Sequence, residues 1–170
     1  MKEMPKKTAW MVYHEFEDAE FCEHFKVIGF FRTREQARTV VRNLKRKPGF
    51  ADHQRGFFVG RPTLNEAAWE EGFHTCLGDT TMPEPETPFG LASVLDYEIR
   101  ESEDSLWHVL HSYVDQWDRT QTKIVGLYSD LGLARHAVKN LLKQPGFRSR
   151  PTGFQVDPVN LGEVAYENGF

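Results

Sequence analysis

Residues 10–73 and residues 107–170 can be laid over each other at a constant offset of 97, with no gap. Of the 64 aligned positions 23 are identical, far more than unrelated segments share. Trp10 meets Trp107, Val12 meets Val109, and His14 meets His111. Lys26 and Gly29 meet Lys123 and Gly126; Pro48-Gly49-Phe50 meets Pro145-Gly146-Phe147; Gly72-Phe73 meets Gly169-Phe170. Such a chain is expected to fold twice into one small pattern. It divides into an N-terminal extension 1–9, a first repeat 10–73, a linker 74–105 and a second repeat 107–170.

Each repeat reads as β-β-α-β. First strands are expected over 8–16 and 106–114, where apolar and polar residues mix and aromatics are frequent. Second strands follow over 25–31 and 122–128. Thr33 and Gln36 have the spacing of a capping box, and Ser129-Asp130 offers cap oxygens in the second copy. Ala37, Val40, Val41 and Leu44 then form an apolar helical stripe that Ala134, Ala137, Val138 and Leu141 repeat. Pro-Gly closes each helix, and third strands are expected near 56–61 and 153–158. A short helical turn holding Trp69 or Tyr166 would end each unit. The fold class is α+β: two tandem repeats, each a three-stranded antiparallel sheet with one packed helix. A sheet covered on one side needs its other face and its edges protected, so a pseudo-twofold pairing of the copies is expected. The linker holds Pro83, Pro85 and Pro88 and is expected to be extended there.

The net charge of -4 makes no global demand for nucleic acid or an anionic membrane. Two cysteines imply no disulfide framework, no apolar run reaches the length of a membrane span, and the basic N-terminus leads into no signal core. A cytoplasmic protein is the resulting expectation. There is no phosphate-binding loop, no Gly-x-Ser-x-Gly and no His-Glu-x-x-His. What the copies share is Gly, Pro, Phe, Trp, Val, Leu and Ala, which build folds; few shared residues are reactive. The expectation is therefore a protein that is not an enzyme and needs no cofactor.

Four constellations could carry chemistry. Cys22, His24, His74 and Cys76 would suit tetrahedral zinc, but their spacing is not that of a zinc finger, and Arg119 and Gln121 stand where the second copy would repeat the first pair. The expectation is no metal. His14 and His111 are matched late in the first strands; they could be paired general bases in a site between the repeats, though imidazoles holding a backbone group explain the match better. Arg38, Arg42 and Arg46, repeated as Arg135, Lys139 and Lys143, step by four along each helix and form the alternative, a nucleic-acid face. A solvated helix surface accounts for them more cheaply. Finally, Glu15, Glu17, Asp18, Glu20 and Glu23 crowd the first hairpin connection beside Phe16 and Phe21, and Asp115 and Asp118 flank Trp117 in the second. Acids speed encounter with a basic protein and exposed aromatics anchor it, so these residues are the first candidates for partner contact.

Trp107-His-Val-Leu-His111, Ile124-Val-Gly-Leu-Tyr-Ser129, Pro145-Gly-Phe147 and Gly153-Phe-Gln-Val-Asp157 together resemble a small bacterial domain family of unknown function. The first copy departs from it, with Phe30-Phe31-Arg32 at the Tyr-Ser step and Gly60 at the Asp. The resemblance covers both copies and not the linker, and such domains are similar to immunity proteins that neutralise bacterial toxins. It implies a non-catalytic protein that blocks a cognate toxin by occlusion.

Overall fold

A computed structural model describes residues 9–20, 23–74 and 106–169, with the side chain of Glu23 set aside. Phe21, Cys22, Cys76 and all of the expected linker beyond His74 lie outside these residues. The described elements are β1 (Trp10–Glu17), β2 (Glu23–Phe31), α1 (Arg34–Leu44), β3 (Phe57–Gly60), β4 (Leu106–Val114), β5 (Thr120–Tyr128), α2 (Leu131–Leu141) and β6 (Phe154–Val159). The protein is α+β, with two three-stranded antiparallel sheets of order β2-β1-β3 and β5-β4-β6. Each expected strand, and the helix expected after each hairpin, is present within about two residues. Two short 3-10 segments, Ala51–Gly56 and Pro151–Gly153, enter the third strands and were not anticipated.

Local chemistry explains the elements. Thr33 caps α1 through a reciprocal pair: its hydroxyl accepts from the Gln36 amide, and the Gln36 side chain accepts from the Thr33 amide, both at 3.2 Å. Asp130 caps α2 by accepting from the Leu133 amide at 2.9 Å. The helices end at Leu44 and Leu141, before the Pro-Gly steps, which instead close the turn that follows. Gly49 and Gly146 adopt φ of +80° and +77° there, a conformation that favours glycine. The hairpins share an irregularity, between Val12 and Tyr13 in β1 and between Val109 and Leu110 in β4.

The chain divides into two compact units that do not follow the sequence periods. Unit 1 is residues 1–64 with 159–170, and unit 2 is residues 65–158. The segment after β3 therefore completes unit 2, and the segment after β6 completes unit 1. In unit 2 the amides of Asn65 and Ala68 donate to the carbonyls of Leu127 and Val125 at 2.8 and 2.7 Å, and the Trp69 indole donates to Ile124 at 3.0 Å. In unit 1 the amides of Gly162 and Ala165 donate to Phe30 and Ile28 at 2.7 and 2.8 Å. Both tails cap the outer carbonyls of a hairpin strand that would otherwise be an open edge. No helix forms around Trp69 or Tyr166, because these amides are spent on β5 and β2 instead of on a helical turn.

Two matched devices hold the tails. Gly126 and Gly29 leave room for them: a Cβ on Gly126 would lie 2.6 Å from the Glu66 carbonyl oxygen, and one on Gly29 would meet the Glu163 carbonyl oxygen closer still. Lys123 places its ammonium 4.3 Å from the Trp69 ring centroid, and Lys26 sits 4.4 Å from that of Tyr166. The core of unit 2 gathers Trp107, Val109, Val125, Val138, Leu141 and Phe147 together with Phe73 from the tail. That of unit 1 gathers Val12, Ile28, Phe31, Ala37, Leu44 and Phe50.

Candidate functional site

His14 and His111 are fully buried. Their Nε2–H groups donate to the carbonyls of His53 and Arg150, each at 2.8 Å and each 39 residues away. Since a carbonyl can only accept, the proton sits on Nε2. Aromatic edges enclose both rings: Phe50 and Phe57 lie 5.0 and 4.5 Å from His14, and Phe147 and Phe154 lie 4.8 and 4.7 Å from His111. Burial lowers both pKa values, that of His111 to about 4, against the opposing effect of the carbonyl bond; nearby positive charge lowers them further. Each imidazole thus ties the first strand to the connection before the third and is enclosed by its own unit. Gly153 makes this approach possible, because a Cβ there would stand 2.3 Å from the Ser112 carbonyl oxygen and 2.7 Å from His111 Nε2. Gly153→Ala is expected to lower the stability of unit 2 by about 2–3 kcal/mol in urea unfolding, through overpacking and loss of the histidine bond. A change below about 0.5 kcal/mol would show that the contact relaxes at no cost.

The hairpin connections carry the expected contact residues, and the structure sorts them. Asp18 and Asp115 turn inward. Asp18 accepts from the Glu20 amide at 2.9 Å and from His24 Nε2 at 2.8 Å. Asp115 accepts from the Trp117 amide at 2.9 Å, the Arg119 amide at 3.0 Å and the Gln121 side chain at 3.1 Å, with Arg119 Nε 3.3 Å away. The two aspartates correspond at offset 97, as do Glu20 with Trp117 and His24 with Gln121, so the same staple closes both hairpins. Desolvation opposes ionisation of Asp115, but these hydrogen bonds and the Arg119 charge outweigh it and hold the carboxyl below its ordinary value. Phe16 is also committed within its unit. Its ring stacks between His24 at 4.6 Å and His53 at 3.6 Å, with interplanar angles of 12° and 13°.

Outward-facing residues remain. Glu15, Glu17 and Glu20 are exposed on the first hairpin, and Asp118 and Trp117 on the second. Trp117 is 58% exposed, the most exposed of the large hydrophobic side chains among the described residues. The Arg119 guanidinium lies 4.7 Å from its ring centroid. Asp118 takes a positive φ of 61° at the tip, a conformation Asp tolerates better than most residues. Sequence reasoning passed over Phe58, which is 40% exposed and stacks on Tyr13 at 5.0 Å. The run Phe57-Phe58 was a signal, since alternation along β3 must turn one of two adjacent phenylalanines outward.

On the helices, Arg38, Arg42, Arg46, Lys139 and Lys143 are exposed and Arg135 is half-buried. Arg42 donates to Glu35 at 3.0 Å and to Thr39 at 2.8 Å, and Arg46 and Lys143 fall in the turns beyond the helix ends. Each basic row is therefore only partly helical. Of the cysteine and histidine set, only His24 and His74 are described. Among the described residues no group of three or more His, Cys, Asp or Glu side chains could hold a metal ion. Nor is any described helix long and apolar enough to cross a membrane.

The chain matches no family model, no curated protein and no solved structure. The functional reading therefore rests on the hairpins themselves.

Proposed function

We propose that this is a non-catalytic protein-binding protein, built from two copies of one β-β-α-β unit, that blocks a partner by occlusion in the manner of a toxin-neutralising immunity protein. The observation that carries the reading is Trp117, an exposed indole on a hairpin already fixed by four contacts to Asp115. Binding through such a residue costs little ordering, because the loop is set before the partner arrives, and a large flat ring is the usual kind of hot spot. The Arg119 guanidinium against the ring limits its motion through a cation–π contact. Asp118 beside Trp117 supplies negative charge suited to a basic partner, and Glu15, Glu17 and Glu20 give the hairpin of unit 1 the same sign. The histidines matched between the copies support the same reading, since their ring donors are committed to backbone carbonyls and each is enclosed in a core.

Affinity capture from the source cell with the wild-type chain and with Trp117→Ala tests this. A partner held by the wild type should bind the variant at least about 30-fold more weakly, which corresponds to about 2 kcal/mol at a hot spot. Its association rate should fall as salt rises. Equal capture by both proteins would remove the hairpin from the interface. Retention of nucleic acid that depends on Arg38 and Lys139 would favour the helix faces instead.

A further inference from the structure

Unit 2 contains a cavity of about 300 Å³ between the tail at 65–70 and α2. Its polar lining is Asn65, Glu70, Tyr128, His136, Asn140 and Gln144, over a floor of alanine and leucine side chains. Tyr128 is only 2% exposed, yet its hydroxyl has no hydrogen-bond partner among the described residues. The matched position in unit 1 is Phe31, equally buried and packed against Gly29 as Tyr128 is against Gly126. A phenyl ring fills this place in one unit, so the hydroxyl in the other is not needed for packing. A buried hydroxyl without a partner costs free energy, and its presence beside a polar hollow calls for an acceptor there.

The lining narrows what that acceptor can be. Burial and the Glu70 charge push the Tyr128 phenol up to about 12, so it is a donor throughout the physiological range. Glu70 repels a carboxylate or phosphate and favours a donor. The rim carboxamides of Asn140 and Gln144 can each give and accept one bond. Asn65 is fixed in place, its oxygen accepting from the Ser129 amide at 2.8 Å and hydroxyl at 3.1 Å. We propose that this cavity binds a small neutral cyclic amide, a flat ring with an N–H beside a C=O, in which Tyr128 donates to the carbonyl and Glu70 accepts from the N–H. A cavity of this size has room for such a ring, and its lining includes no residue of the Trp117 hairpin.

Amide chemical shifts of the intact protein, titrated with uracil, test the proposal. Benzoate serves as a flat anion and 1,3-dimethyluracil as a ring without the N–H. Uracil should move signals from 65–70 and 133–144, both controls should fail, and Tyr128→Phe should bind at least about tenfold more weakly. The variant carries the residue that unit 1 uses, so it should melt no lower than the wild type. Absence of shifts with uracil at millimolar concentration overturns the proposal, as do equal binding by Tyr128→Phe or equal binding of benzoate. A clear drop in the melting midpoint of the variant also overturns it, because the hydroxyl would then be spent inside the fold.

Discussion

Cut once between Glu84 and Glu86, at an introduced protease site, the protein is expected to keep eluting at the mass of the uncut chain. The cut yields one piece carrying β1 to β3 and the tail at 65–73, and another carrying β4 to β6 and the tail at 162–169. Each compact unit needs both pieces, since unit 1 is residues 1–64 with 159–170 and unit 2 is residues 65–158. Separation would expose Phe73, buried in the core of unit 2, at a cost of about 2 kcal/mol by area alone. It would also strip the tail amides from β2 and β5 and break the Trp69 bond to Ile124. The pieces should come apart only in denaturant. Two domains strung in series, each holding its own tail, would part on the first native column, and that result would refute the exchange. A second arm uses Gly126→Val in the cut protein, which closes the room above β5 where the Glu66 carbonyl sits. The pieces should then separate at a lower denaturant concentration, held only by the tail on β2.

Acid should unfold unit 2 in a window set by its histidines. His108 and His111 have pKa values lowered from 6.5 to about 4, in each case chiefly by burial. The unfolded chain takes up protons below 6.5 that the folded unit refuses until about 4. Stability from this source is therefore complete above 6.5, falls as pH drops through the window, and levels off below about 4. The loss is on the order of 3 kcal/mol for each imidazole. Burial lowers His14 as well, so unit 1 should respond with the same sign. Asp115 answers in a different range: its carboxyl is held below the ordinary 3.8, so its contribution is lost only at more acid pH. Urea midpoints at pH 7, 5.5 and 4 would read the curve, and imidazole chemical shifts would assign it. Unchanged midpoints across that range would mean that the rings titrate normally and are not enclosed.

The parts of this fold that depend on nearby residues were visible in the sequence. The Thr33–Gln36 box and the stripe from Ala37 to Leu44 are contacts within one helix, so spacing reveals them. The match of His14 with His111 pointed to a structural task, and the 39-residue reach to a carbonyl gives that task a form. The tail exchange was hidden for a definite reason. Alignment shows that Gly29 corresponds to Gly126 and Glu66 to Glu163, but it does not say which glycine each tail meets. Either pairing leaves the same 23 identities. The aspartates are legible for a related reason only in part: Asp18 and Asp115 fall among the acids of the hairpin connections, and their identity between copies with otherwise dissimilar hairpins is the mark of a structural part. Tyr128 was invisible as a site residue because a tyrosine opposite a phenylalanine looks like ordinary core variation until its hydroxyl is found without a partner.

The crossed tails also constrain how the molecule can be made. On a ribosome, strands β1 to β3 and helix α1 emerge first, yet the segment that shields β2 is encoded some hundred residues later. Until it arrives, the nascent first half presents an uncapped strand to every neighbouring chain. Synthesis speed and chaperone access over that interval should therefore govern the yield of soluble protein more strongly than the final stability of either half.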